Sequence, residues 1–220
     1  MIEAKEIAGI ISRIAPVVLA AVPSKRGTTA SSLRRAVGLM LGDPNMAHIG
    51  TFAIAFRVCL DLARASGATL TSMDAVRVAA TAEAPINLGA ILTVNAIIRL
   101  TLAQDARIIA GLSFASRDDV DRIADAMNDA FDSAGETASD DHDAGTYLAI
   151  LRLQADVTKH LADRGRVLPR VIDYSNPQTT TAITMAKRAY NDPSRSDEIR
   201  LENRIVHPAF VPLTGRMLAT

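Results

Sequence analysis

Arg188-Ala-Tyr-Asn191-Asp-Pro-Ser-Arg195-Ser-Asp-Glu198-Ile199, then Glu202-Asn203-Arg204-Ile205, then His207-Pro-Ala-Phe210-Val-Pro212, is the stretch that decides the fold. It reads as helix, tight turn, helix and extended exit. Asp192-Pro193 pre-sets the turn. Ser194 or Ser196 can accept from the free amides at the second helix's start, and Asp197 and Glu198 suit its positive end. Ile199, Ile205 and Phe210 are expected to fill a small core. Asn203 suits a left-handed helix end. Pro208 and Pro212 fix an extended path, with His207 biased to β or polyproline geometry. Most of these letters specify a fold, and none of them spells a catalytic motif.

Upstream, Val167-Leu-Pro-Arg-Val-Ile-Asp-Tyr174 is short, β-branched and extended, and Ser175-Asn-Pro-Gln178 is a turn. Residues 180–190 and 195–203 are the two expected helices. Phe210-Val-Pro-Leu213 and Met217-Leu218 supply a return strand. Strand, helix, helix, strand is the plan of a LysM-like module, in which two short helices stabilise a two-stranded sheet that is marginal alone.

Everything before residue 166 reads as helix. Ile7, Ile10, Ile11, Ile14 and Val18 form an apolar stripe within 3–21, with Pro16 expected to kink or divide it. Thr28 or Thr29 is the expected cap of a helix to Leu41, and 42–45 is a turn. A third helix covers 46–65 and stops at Ser66-Gly67. Thr71-Ser-Met-Asp74 is expected to open a helix to Ala84, with Pro85 at the junction to the apolar helix 86–111. Ser116-Arg-Asp-Asp119 opens a helix to Ser133, and 134–143 reads as a polar linker. The helix 145–162 has Tyr147, Leu148, Leu151, Val157 and Leu161 as its expected core face, and Gly165 ends it. The fold class expected is mainly α: a multi-helix body, 1–165, followed by a small α+β (βααβ) LysM-like module, 166–220.

Composition sets further bounds. Hydrophobic residues make up 49% but aromatics only 4%, so the core is aliphatic and suited to close helix packing. Lys plus Arg number 24 and Asp plus Glu 24, so bulk attraction to nucleic acid or an anionic membrane is not expected. The charge is uneven, basic before residue 116 and acidic over 117–143, which suits either assembly with a partner or a solvated face. Arg34-Arg35 and Lys25-Arg26 favour nucleic acid, but no aromatic stacking platform accompanies them. The single cysteine, Cys59, excludes an intramolecular disulfide and reads as a small buried hydrophobe. The acidic start, interrupted by Pro16, does not read as a signal peptide. The strongest membrane candidate, 86–103, is broken by Asn87, Asn95 and Arg99, so no span is expected.

Catalytic patterns are missing: no Gly-Xaa-Ser-Xaa-Gly elbow, phosphate-binding glycine loop or His-Glu-Xaa-Xaa-His pair occurs. His48, His142, His160 and His207 are scattered. Asp140-Asp-His142-Asp143 offers metal-type ligands without an ordering scaffold, and Asp118, Asp119, Asp121 and Asp125 form a helical acidic run. No catalytic, cofactor or metal residue is therefore expected. Arg188, Tyr190, Arg195, His207 and Phe210 are the candidates for contact with a partner.

The segments Tyr190–Ile199, Asn203–Ile205 and His207–Pro212 resemble the C-terminal end of Mu-type phage DNA circularisation proteins. The likeness runs upstream through Tyr147-Leu-Ala, Val157-Thr-Lys-His-Leu-Ala-Asp-Arg-Gly165, Leu168-Pro-Arg-Val171 and Tyr174, and more loosely around Phe114-Ala-Ser and Asp119. It covers roughly half of the chain, and its terminal stretch is the specific part. One departure is that the family's separate N-terminal domain of mixed strands has no counterpart in this helical start. The resemblance implies a non-enzymatic tail or baseplate component in the virion, made in the host cytoplasm. Its implied neighbours are baseplate hub or wedge, tail-tube and tape-measure proteins, with several copies in a ring. LysM modules in general imply a second reading, a peptidoglycan-binding module on a tail tip or cell-wall protein. A wall hydrolase is the weakest reading, since no acid/base pair stands out.

Overall fold

The computed structural model describes residues 2–24 and 26–219. Its described residues are mainly helical, with one small antiparallel sheet. The order is α1 (Ile2–Ala20), α2 (Thr28–Gly42), a 3-10 turn (Pro44–Ala47), α3 (Ile49–Ala65), α4 (Leu70–Thr81), α5 (Leu88–Gly111), α6 (Arg117–Asp140) and α7 (Ala144–Gly165). Then follow β1 (Val171–Ser175), α8 (Ala182–Tyr190), a 3-10 turn (Pro193–Arg195), α9 (Ser196–Glu202) and β2 (Thr214–Leu218). The chain divides into two compact units. The first comprises 1–112 and 127–157; the second comprises 113–126 and 158–220. The second unit thus adds the start of α6 and the end of α7 to the expected 166–220 segment.

The first unit is built on the stripe of α1. Ile7, Ile10, Ile11, Ile14 and Val18 are all buried, and they pack with Leu33, Phe52, Phe56, Leu60, Met73, Val76 and Ile97. Phe52 and Phe56 stack at 5.3 Å between ring centroids. Pro16 neither breaks nor divides α1. It is exposed, so the carbonyl it leaves without a donor can bond to water.

Several helix starts differ from expectation because neighbouring groups take over the capping. α2 begins after Gly27 (φ 112°), and no side chain caps it, so neither Thr28 nor Thr29 has that role. α4 starts earlier than Thr71, because Thr69 accepts from the Ser72 amide while Ser72 Oγ accepts from the Thr69 amide. α5 starts at Leu88 rather than Ile86. Glu6 of α1 accepts from the amides of Ile86 (2.7 Å) and Asn87 (3.2 Å), and Glu3 accepts from Gly89 (2.7 Å). These carboxylates serve donors that a helix cannot satisfy internally. The Ile86 amide is the main reason the Glu6 carboxyl lies below its ordinary range.

α6 continues two turns past Ser133, through the stretch expected to be a linker. Ala134 and Ala138 are buried one helical turn apart, following Ala130, so the small-residue stripe extends the helix. On α7 the buried apolar side chains are Ile150, Val157 and Leu161, whereas Tyr147, Leu148 and Leu151 are exposed. Gln154 Nε2 instead donates to Asp132 Oδ1 of α6 at 2.8 Å. Among the described residues no helix is long and apolar enough to cross a membrane. α5 buries Thr93, Asn95, Thr101, Gln104 and Asp105.

In the second unit, β1 and β2 pair from Val171↔Leu218 to Ser175↔Thr214. Tyr174, Ala182, Met185, Ala186, Ile199 and Val211 form the core, with Tyr190, Ile205 and Met217 partly buried against it. The return strand begins only at Thr214; upstream of it, Val211 makes an isolated bridge to Thr180.

Candidate docking surface

The two short helices are held by local chemistry at each end. Thr181 caps α8, its Oγ1 accepting from the Thr184 amide at 3.2 Å. Asn191 closes it in the left-handed conformation, φ 56°, with its side chain and carbonyl accepting from Lys187 Nζ. Asp192 then holds the turn: its Oδ1 accepts from the Ser194 amide (2.9 Å) and hydroxyl (2.7 Å). The Ser194 hydroxyl is the leading reason the Asp192 carboxyl sits below its ordinary range. The turn therefore uses Ser194 as a donor, and no side chain caps α9. Asp197 and Glu198 do occupy its first turn.

Asn203 is not left-handed, with φ −98°; Arg204 takes that conformation at φ 51°. The Asn203 side chain instead ties α9 to β2. Its Nδ2 donates to the carbonyls of Ile199 (2.8 Å) and Arg216 (2.6 Å), and its Oδ1 accepts from the Arg216 amide (2.7 Å). Gly215 lies under this contact. A Cβ there would fall 2.6 Å from the Tyr174 hydroxyl and collide with Asn203 Oδ1, so any larger residue must displace both side chains.

The five residues expected to meet a partner separate into three groups. Arg195 lies 3.9 Å over the Tyr190 ring and grips Glu198 with two bonds, 2.9 and 2.7 Å. Tyr190 Oη accepts from the Leu218 amide at 3.2 Å. These two residues brace the helices against the sheet. Burial is the main cause raising the Tyr190 phenol, and the Glu198 bond is the main cause raising the Arg195 guanidinium. His207 and Phe210 form a second pair, ring centroids 5.3 Å apart, with His207 Nδ1 accepting from the Ala209 amide. Arg188 is exposed on α8 and joined to neither pair among the described residues.

Phe210 is 67% exposed and so is not a core residue. Val211 fills the core in its place, pinned by the bond from its amide to the Thr180 carbonyl. Val206 (94% exposed) and Leu201 (79%) add to the apolar surface of the same unit, as do Ile183 on α8 and Leu213. Sequence reading passed over Leu201 and Val206. The signal was available for Leu201, which stands two residues after buried Ile199 and therefore on the opposite side of a helix.

Five of the seven acidic residues that suggested other chemistry have structural employment. Asp118 accepts from the Val171 amide, Asp119 bonds Ser116 and Arg122, and Asp121 pairs with Arg117. Asp141 accepts from Asn95 and Arg99, while Asp143 receives the Thr146 amide. Among the described residues no three His, Cys, Asp or Glu side chains converge as a metal site would require. Cys59 is buried, which pushes its thiol up to about 11 and makes the thiolate scarce. The arrangement presents apolar contact area on a braced scaffold. In comparisons with known proteins, no family model and no curated protein matches this chain.

Proposed function

We propose that the chain is a non-enzymatic structural component of a phage or phage-derived tail, seated at the baseplate or hub. The second unit is read as a LysM-like module that grips a hub or wedge protein. The helical unit packs against copies of itself or against tail-tube and tape-measure neighbours. One observation carries the docking role: Leu201, Val206 and Phe210 are exposed on a small unit whose core is complete without them. Exposed aliphatic and aromatic side chains on a rigid frame are the anchors that protein interfaces bury. The strand–helix–helix–strand order and the terminal motif support the LysM-like and tail assignments. Contact with nucleic acid forms no part of this role.

Mass spectrometry of purified particles tests the location, and retention of the full chain on insoluble peptidoglycan tests the alternative. A particle-borne chain that stays in the supernatant is the expected result. Saturable retention on glycan, with absence from particles, overturns the proposal in favour of a wall-binding module.

A further inference from the structure

The outer edges of the two-stranded sheet are unlike. Both the amide and the carbonyl of Arg216 bond the Asn203 side chain, so Arg216 faces away from β1. Asp173↔Arg216 is therefore a non-hydrogen-bonded pair of the antiparallel ladder. Bonds from the Asn176 amide to the Leu213 carbonyl and from the Ala219 amide to the Arg170 carbonyl fix the same alternation. The backbone groups of Val171, Asp173 and Ser175 consequently point away from β2. Asp118 Oδ2 takes the Val171 amide at 2.7 Å. Asp173 and Ser175 are exposed, and among the described residues no protein group bonds their outward amides and carbonyls. The edge of β2, by contrast, is closed by Asn203 at Arg216 and by the Tyr190 hydroxyl at the Leu218 amide.

We propose that the chain self-associates through the β1 edge, pairing antiparallel with β1 of a second copy into a four-stranded sheet. An open edge is a template for another strand, and register selects the second copy. With Tyr174 at the two-fold centre, Asp173 pairs with the partner's Ser175, and Ser175 with the partner's Asp173. Four bonds form, and every outward donor and acceptor of these two residues is used. Val171 then falls opposite the partner's Pro177, which has no amide to leave unpaired. Centring on Asp173 would oppose two carboxylates and aim Ser175 at Val171, whose amide is already taken. Centring on Ser175 would leave Asp173 facing proline. The favoured register also covers Ile172, which is 43% exposed.

Sedimentation equilibrium of the full chain tests this. The mass should rise from 23.4 kDa toward twice that value as concentration enters the submillimolar range. Ser175→Pro removes an amide that bonds no group among the described residues and deletes two of the four bonds between copies. It should weaken the dimer at least about tenfold. Hydrogen exchange on the unmodified chain gives an independent readout, with the Asp173 and Ser175 amides protected as concentration rises and the Arg216 amide unchanged. A mass of 23.4 kDa at every concentration, a dimer indifferent to Ser175→Pro, or edge amides indifferent to concentration overturns the proposal.

Discussion

The helical unit and the C-terminal unit stay folded by different means. In the first, one cluster of two dozen buried apolar residues among those described carries the load, and side-chain bonds between helices, such as Gln104 to Asp61 and Gln154 to Asp132, add to it. In the strand-and-helix part of the second, a cluster of only six buried residues among those described makes the core, and side-chain ties supply what area cannot. Asn203 joins α9 to β2, Tyr190 joins α8 to β2, and Arg195 joins both helices through Tyr190 and Glu198. A large aliphatic core spreads the cost of one defect; a small braced one concentrates it. That concentration lets the small unit leave Phe210, Val206 and Leu201 outside.

The largest single loss should come from the first unit. Phe56→Ala removes a fully buried ring from the Phe52 stack and should cost about 3–5 kcal/mol. Thermal unfolding should show a lowered transition without loss of the fold at room temperature. A residual stability near zero would mean that the helical core has no such reserve.

Asp105 is the weak point of that core. It is 2% exposed, its Oδ1 has no hydrogen-bond partner among the described residues, and burial pushes it up to about 7 against the pull of Arg77. Its unfolded value lies near the ordinary 3.8, so between these two values the folded chain holds a proton that the unfolded chain releases. The stability is complete below the unfolded value and is lost as pH rises through about 7. Asp105→Asn should flatten this slope and add about 1–4 kcal/mol above it. Denaturant melts of parent and Asp105→Asn across pH check the sign, and a parent-minus-variant difference that climbs from acid to neutral pH would refute it.

Gly215→Ala probes the braced unit. Its new methyl must displace Tyr174 and Asn203, at about 1–3 kcal/mol, and should melt this unit first. Asn203→Ala should cost about 1–2 kcal/mol by releasing the β2 edge to water. Amide exchange at Arg216 reads both variants, and slow exchange in Asn203→Ala would show that the tie is ornamental.

The regular periodicities were legible: the α1 stripe, the α4–α5 division at Pro85 and the strand–helix–helix–strand order all stand in the letters. Less was visible wherever a distant residue finished a local job. Glu6 resets the start of α5 from eighty residues away, and no window around Ile86 contains that information. The 134–143 stretch looked polar because alanine contributes little to a hydropathy reading, yet Ala134 and Ala138 are buried. At the docking surface, residue type suggested contact for Tyr190 and Arg195, but each is spent on the other. Phe210 was read both as core and as contact, and Val211, one residue on, takes the interior. A parity of one along an extended segment decides which side chain is buried, and the prolines around it obscure that parity.

The proposed docking through exposed apolar side chains is tested most directly by one double variant, Val206→Ser with Phe210→Ser, placed in the genome that encodes the chain, with the particles that the tail proposal calls for then purified. Both side chains lie outside the core, so the melting behaviour should stay within about 0.5 kcal/mol of the parent. Copies per purified particle, counted by quantitative mass spectrometry, should fall at least about tenfold. Parental copy numbers in particles carrying the stable double variant would contradict the docking role of this surface.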